Sequence, residues 1–289
     1  MKISELSLFR RLFAFRRIKR SFGSPRYLLK WLLLSTLIGL VAGGGAIAFF
    51  AAIGLTTHFL LGQLVGYLPP EPAGEGGMGP MPFWNAARPW LLPVITTAGG
   101  LVAGIIVFSL APEAEGHGTD AAIGAFHQGK PIRARIPLIK LVASAITIGS
   151  GGSAGREGPS AQISAGFGSL LADVLHLDTQ DRRIALATGI GAGIGAIFRA
   201  PLGGAILAAE ILYKEDLEVE AIIPALIASI VGYSVFGSWS GWNPIFTPPD
   251  NSVADMMRTY RLTLTRNLRR TRGFVKGTAQ VEIEMTPRR

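Results

Sequence analysis

Residues 149–159 read Gly-Ser-Gly-Gly-Ser-Ala-Gly-Arg-Glu-Gly-Pro and lie between two apolar segments. Pro159 suits the first position of a helix, because the N–H group that proline lacks needs no partner there. The glycines before it let the backbone turn sharply and expose successive N–H groups. Since a helix N-terminus carries about half a positive charge and several unpaired donors, it binds anions readily. We therefore predict an anion site that includes Gly155, Arg156 and Gly158.

Glu157 stands where such a helix N-terminus would hold an anion. A carboxylate within a membrane segment is energetically costly and usually functional. We predict that ionised Glu157 occupies the anion site and blocks it, and that protonation or displacement opens the path. The alternative is that Arg156 and Glu157 form an interfacial ion pair that only fixes a loop. A soluble phosphate-binding loop is excluded, because its Gly-Lys-Ser/Thr ending is missing.

The composition indicates an integral membrane protein. Of 289 residues, 49% are hydrophobic and only 16% are charged, whereas about a quarter of the residues of a soluble domain are charged. No charge falls between Trp31 and Thr57. A run of this length can cross a hydrocarbon core of about 30 Å. The sequence predicts one membrane-spanning helix over residues 31–61 and a second over residues 89–110.

Beyond residue 110 the apolar segments become short, and glycine-rich joints separate them. Several are too short to cross a bilayer at about 1.5 Å per residue. Broken membrane helices of this kind are typical of transporters and channels, where a watery cavity satisfies the irregular backbone. We predict an all-α integral membrane fold of short, broken and tilted helices. The apolar segments are Ile136–Ile148, Pro159–Leu175, Ile184–Phe198, Leu202–Tyr213 and Ala221–Phe236.

The net charge of +9 is concentrated near the two ends. The basic arm 1–30 abuts the first span, which predicts a cytoplasmic N-terminus and argues against nucleic-acid binding. The tail 247–289 is basic and has no apolar face able to span a membrane. It is either a soluble extension or an aberrant stretch that follows a truncation.

The other charged groups receive simpler interpretations. We predict a solvated turn that contains Asp178, Asp181, Arg182 and Arg183. In this turn Asp178 or Thr179 caps the following helix. Arg133, Arg135 and Lys140 either attract anions electrostatically or, as we favour, lie at the membrane surface. The sequence has no recognisable metal-ligand cluster, nucleophile–base pair or nucleotide loop, so we expect neither a cofactor nor an enzymatic activity.

The Gly155–Pro159 motif, with residues 149–152 before it and residues 198–204 and Glu210 after it, resembles the CLC family of chloride channels and transporters. The likeness runs from about residue 31 to about residue 246. It implies one inverted-topology repeat of the CLC-like fold, in which helix N-termini meet at a central anion site. It also implies that Glu157 is the gate and that the protein is a homodimer with a separate pore in each subunit.

The first anion motif departs from the family pattern. The family usually has Gly-Ser-Gly-Ile-Pro, whose serine hydroxyl helps to hold the ion, whereas this chain reads Gly-His-Gly-Thr-Asp at residues 116–120. His117 could donate a hydrogen bond from a ring nitrogen in place of the hydroxyl, or the backbone alone could serve. The resemblance thus adds Gly116, His117 and Gly118 to the predicted anion-binding residues.

The inner proton site is a second departure. Proton-coupled members of the family commonly have an inner glutamate, and the matching position here is Ile211. Glu210 precedes it, which on a helix places its side chain about 100° away. Glu210 is either part of a proton path or, as we favour, the partner in a structural hydrogen bond. The missing carboxylate favours passive conduction over proton-coupled exchange.

The second repeat of the family, with its Gly-x-Phe-x-Pro helix N-terminus and its pore tyrosine, has no counterpart in residues 247–289. We predict a voltage- or pH-gated chloride channel, or an anion/proton exchanger-like transport protein, in the inner cell membrane. The alternative is a truncated, non-conducting fragment of such a protein. The predicted partners are chloride or another small anion, the lipid bilayer and a second copy of the chain.

Overall fold

The computed structural model describes residues 25–69, 86–213 and 216–242. The tail 247–289 and most of the arm 1–30 lie outside the described residues. Within the described residues the chain forms eight α-helices and no strand. They are α1 (Pro25–Thr57), α2 (Leu91–Leu110), α3 (Thr119–Gln128), α4 (Arg135–Gly149), α5 (Glu157–Val174), α6 (Thr179–Ile197), α7 (Pro201–Glu210) and α8 (Val219–Ser240).

Two short elements complete this set. A π-helical segment, His58–Val65, continues α1, and a 3₁₀ turn, Pro112–Ala114, follows α2. The all-α prediction is therefore confirmed for the described residues. Short helices such as α3 and α7 have only ten residues each. At about 1.5 Å per residue they reach about halfway across a hydrocarbon core.

Three helices are long and apolar enough to span a membrane. They cover Tyr27–Val65, Leu91–Leu110 and Val219–Ser240. The first two coincide with the predicted spans 31–61 and 89–110. The third corrects the short segment 221–236, because the helix continues through Gly237 and Ser238 to Ser240. Glycine and serine are tolerated in a membrane helix, where each backbone group finds its partner within the helix.

Helix α6 lies at the centre of the packing. Every residue from Ile184 to Ile197 is buried, and α6 packs against α1, α5, α7 and α8. Its sequence over 187–196 is made of alanine, glycine, isoleucine and one threonine. Small residues allow neighbouring backbones to approach closely, which drives helix association where lipid removes the hydrophobic effect.

The glycines of α6 face neighbouring helices on different sides. A Cβ atom added to Gly189 would overlap the backbone oxygen of Ser164 in α5. A Cβ atom on Gly191 would lie 3.0 Å from the Cβ of Ala225 in α8 and 3.2 Å from that of Ala208 in α7. The small side chains of α6 therefore set the distances between the central helix and its neighbours.

Charged and polar groups fix the beginning of α6. The side chain of Asp178 accepts a hydrogen bond from the N–H of Asp181 at 2.9 Å, which confirms the predicted helix cap. The solvated-turn prediction is wrong for Asp181, which is buried and pairs with buried Lys30 of α1. The Lys30 ammonium also lies 5.5 Å from the centre of the Trp31 ring. Since a buried charge needs a partner, this pair holds the start of α1 against the start of α6.

The Gly189→Ala substitution tests the close approach of α6 to α5. We expect it to lower the free energy of unfolding by about 1–3 kcal/mol, because a methyl group meets a backbone carbonyl that cannot move away. The matched control is Gly104→Ala in α2, where a Cβ atom meets nothing within 4 Å. The midpoint of thermal unfolding in detergent, followed by tryptophan fluorescence, should fall only for the first variant. Equal midpoints would contradict this account of the packing.

Candidate functional site

The two glycine motifs that the sequence singled out meet in space. Gly158 lies in the first turn of α5, and a Cβ atom there would overlap the backbone oxygen and ring of His117. Gly118 precedes α3, and a Cβ atom on it would lie 2.8 Å from the backbone oxygen of Gly158. Gly118 has a φ of +104°, a backbone conformation that residues other than glycine rarely adopt. The loop 113–118, called the glycine loop below, thus packs directly on the N-terminus of α5.

Buried Lys140 of α4 orients the glycine loop. Its ammonium group, in a residue only 4% exposed, donates to the backbone oxygens of Ala114 at 3.0 Å and Gly116 at 2.6 Å. In a trans peptide the C=O and N–H groups point in opposite directions. Because the Gly116 oxygen points toward Lys140, the N–H of His117 points to the opposite side. The prediction of a membrane-surface role is therefore wrong for Lys140, because its ammonium group is buried against the glycine loop.

Gln162 of α5 is a second buried side chain that contacts the glycine loop. Its Nε2 atom donates to the backbone oxygen of Glu113 at 2.9 Å. The sequence suggested no role for Gln162, and for Lys140 it favoured a membrane-surface role over electrostatic attraction of anions. The available signal was position: Gln162 follows Gly158 by four residues, so both lie on one helix face.

Two helix N-termini supply N–H groups at this place. The first bonds within the helices run from Ser160 N–H to the Arg156 oxygen at 3.1 Å in α5, and from Ala122 N–H to the Gly118 oxygen at 3.2 Å in α3. The N–H groups that precede them belong to the unpaired set of every helix start. The sequence predicted Pro159 as the first residue of this helix. Helix α5 instead begins two residues earlier, at Glu157. Proline is tolerated there because its missing N–H belongs to the same unpaired set.

Glu157 is the first residue of α5, and its side chain is exposed. The carboxylate folds back over the backbone, so that a Cβ atom on Gly155 would overlap its Oε2 atom. A negative charge is favourable at this position, because the helix dipole is positive there. The preceding Arg156 stacks its guanidinium 4.7 Å from the centre of the Phe50 ring in α1. Arg156 therefore anchors the start of α5 to α1 beside the carboxylate.

His117 is exposed, and its Nδ1 atom lies 2.9 Å from the hydroxyl oxygen of Thr119. This contact fixes the ring beside the start of α3. If Nδ1 accepts from the hydroxyl, the neutral ring carries its proton on the other nitrogen and can donate from there. The role of His117 as an anion ligand stays a prediction.

Charged residues lie near Glu113, the first residue of the glycine loop. Exposed Arg133 pairs with Glu113, and this hydrogen bond, more than the nearby charges, holds the pKa of Glu113 below its ordinary value. Arg135, the first residue of α4, is also exposed.

Glu210 lies apart from these groups in the fold. It is the exposed last residue of α7, a helix that packs mainly against α6 and α8. The next residue, Ile211, packs against the apolar core. The structure therefore brings residues 116–118 and 155–158 together and does not add Glu210 to that group. Its proposed hydrogen-bonding or proton role stays a prediction.

Comparison with known proteins gives independent evidence on the family of this chain. Residues 99–264 match the family described as voltage gated chloride channel. An H(+)/Cl(-) exchange transporter ClcA of Cronobacter sakazakii is 30% identical over 239 residues, which cover 78% of this chain and 48% of that protein. A chloride/fluoride channel protein of Pseudomonas syringae pv. tomato is 27% identical over 216 residues, covering 74% and 41%. The chain spans about half the length of the curated relatives it matches.

Solved structures give the same picture for the fold. A slow cyanobacterial Cl−/H+ antiporter superposes with a TM-score of 0.59 at 21% identity, covering 83% of this chain and 54% of that one. A CLC-type fluoride/proton antiporter gives a TM-score of 0.61 at 19% identity, covering 85% and 56%. The chain shares their helical membrane fold over a little more than half of their length.

Substituting Gly118 tests the contact between the glycine loop and α5. Gly118→Ala should reduce the free energy of unfolding by about 1–3 kcal/mol, because the backbone conformation disfavours a side chain and the methyl group approaches the Gly158 oxygen. Gly124→Ala in α3 is the matched control, since nothing lies within 4 Å of a Cβ atom there. Thermal unfolding followed by circular dichroism measures both. A control variant that is destabilised as strongly as Gly118→Ala would count against the proposed contact.

Proposed function

Because the chain belongs to the voltage-gated chloride channel family, the CLC family, we propose that it forms part of a membrane pathway for chloride or another small anion. In this proposal the glycine loop and the N-terminus of α5 hold the anion, and Glu157 is its gate. The chain acts in transport and not in catalysis.

One observation supports this proposal above the others. The first turn of α5 and the glycine loop pack against each other, and they come from separate parts of the chain. Each contributes backbone N–H groups at a helix N-terminus, where anions bind without a charged side chain. Buried Lys140 adds a positive charge next to the same loop. Such an arrangement attracts an anion and disfavours a cation.

The gating step follows from competition between two negative charges. The Glu157 carboxylate lies at the N-terminus of α5, next to Gly155, so an ionised side chain and a bound anion repel each other. At a separation of about 4 Å two unit charges in water interact by about 1 kcal/mol, and by more where water is excluded. Protonation removes this repulsion, and a high anion concentration displaces the side chain. Either change opens the path.

The chemical class of the anion follows from the donors. Backbone N–H groups and one ammonium group near the loop suit a small monovalent anion, and the relatives include a chloride/fluoride channel protein and an H(+)/Cl(-) exchange transporter. His117 stands where the family usually has serine, so its ring would be the additional ligand that distinguishes one anion from another.

We favour passive conduction over exchange with protons. Ile211 occupies the position of the inner glutamate, and Glu210 ends a helix that packs on α6 and α8. The membrane location rests on three helices able to span a bilayer. The inner cell membrane, a cytoplasmic N-terminus and a homodimer complete the proposal, supported by the basic residues that precede α1 and by family membership.

The Glu157→Gln variant tests the gate through anion binding. Removing the negative charge should strengthen chloride binding at neutral pH at least about fivefold, because the repulsion between carboxylate and anion disappears. Lowering the pH should strengthen binding to the unmodified chain, because protonation removes the Glu157 charge, and the variant should lack this component of the response. Calorimetric titration of the full chain in detergent measures both. Glu210→Gln, which removes another exposed carboxylate at a helix end, is the matched control.

Equal chloride affinities for the Glu157→Gln variant, the control and the unmodified chain would remove Glu157 from the mechanism. Failure of all three to bind chloride or fluoride would refute the proposed site.

A second experiment separates the pathway from the alternative of a non-conducting fragment. Liposomes loaded with chloride and containing the 289-residue chain are compared with liposomes containing Glu157→Gln. Efflux that changes with the substitution supports a complete pathway gated by Glu157. Chloride binding without efflux from either protein, with insertion verified, supports an anion-binding part that conducts only with further protein.

A further inference from the structure

Gln162 is a neutral polar residue buried beneath the proposed anion site. It is 1% exposed and lies on α5 four residues after Gly158, which contacts His117. Residues four apart share one face of a helix, so Gln162 lies under the glycine loop. A buried amide is unfavourable unless its polar atoms form hydrogen bonds. The contacts of the Gln162 side chain therefore indicate its role.

The two ends of the Gln162 carboxamide face the two ends of the glycine loop. Its Nε2 atom donates to the oxygen of Glu113 at 2.9 Å, which fixes the orientation, because the opposite one would place two oxygens together. Its Oε1 atom then faces Gly118, where a Cβ atom would lie 2.9 Å away. Within the described residues this Oε1 atom has no hydrogen-bond partner.

The carboxamide therefore spans the loop from its first residue to its last. Glu113 belongs to the 3₁₀ turn at one end, and Gly118 precedes α3 at the other. If the Glu113 oxygen moved away from Gln162, the turn and the N–H groups that follow it would lose their fixed distance from α5. Lys140 holds the same loop, but it also contributes charge.

We propose that Gln162 is a positioning residue of the anion site, which holds the glycine loop at the spacing from the α5 N-terminus that an anion requires. The inference rests on the proposed function, since it assigns Gln162 to the same site. It adds that the geometry of the loop is controlled by a neutral amide that makes no contact with the anion. Removing this amide loosens the loop without changing the charge of the site.

The Gln162→Met variant removes the hydrogen bond and keeps the length and flexibility of the side chain. We expect about fivefold weaker chloride binding when it is combined with Glu157→Gln, because one buried hydrogen bond that orders the donors is lost. The matched control is Gln180→Met in α6, whose amide bonds Glu220 at 3.4 Å and not the loop. Calorimetry of the full chain in detergent gives the affinities, and thermal unfolding shows whether both variants keep the fold.

Hydrogen exchange distinguishes positioning from general stability. In Gln162→Met the amides of residues 113–120 should exchange faster, while those of the buried segment 184–197 should not change. Unchanged exchange in the loop, or unchanged chloride affinity, would overturn the proposal. If the Glu157→Gln chain with native Gln162 binds no chloride, the proposed function fails, and the exchange experiment still decides whether Gln162 holds the loop.

A measurement on the chain with its native Gln162 covers the case in which Gln162→Met does not fold. With glutamine side chains labelled with nitrogen-15, addition of chloride should shift the amide resonance of Gln162 and leave that of Gln180 in place. A Gln162 resonance that does not respond to an anion that binds would refute its role in the site.

Discussion

The close approach of α6 to its neighbours is the constraint on which the rest of the structure depends. In a bilayer the helices gain little from burying apolar surface, so they associate through tight packing and internal hydrogen bonds. Glycine and alanine along α6 bring α5, α7 and α8 into near backbone contact. The buried pair of Lys30 and Asp181 then fixes α1 against the start of this helix. Larger side chains on α6 would separate the elements that carry the site.

The position of α5 on α6 determines where the site is formed. With Gly189 against the Ser164 backbone, α5 can neither slide nor rotate freely, so its N-terminus is held in a fixed position relative to α6. The glycine loop is brought to that N-terminus by two buried side chains, Lys140 and Gln162, which bind three of its backbone oxygens. Carbonyl oxygens would repel an anion, and both side chains turn them away from the exposed side. The loop N–H groups are therefore oriented by Lys140 and Gln162, which bind the carbonyl oxygens of the same loop.

An anion pathway of this kind needs attraction without permanent capture. In the proposed function, backbone N–H groups and one buried ammonium group attract the ion, and the Glu157 carboxylate competes with it for the helix N-terminus. In that proposal the competing charge belongs to the protein, so protonation of Glu157 would link occupancy of the site to pH. The exposed position of Glu157 and His117 leaves this side of the described helices accessible to ions and to further protein.

The sequence by itself determined the membrane class, the first two spans, the Asp178 cap and the two glycine motifs, because apolar length, capping chemistry and glycine patterns act over a few residues. The tertiary structure alone decided that residues 116–118 lie on Gly158, that α8 runs on to Ser240, and that Lys140 is buried behind the loop. Gln162 received no role from the sequence, since its spacing from Gly158 gives the helix face but not the partner. Its partner, Glu113, is 49 residues away in the chain, and only packing brings the two together.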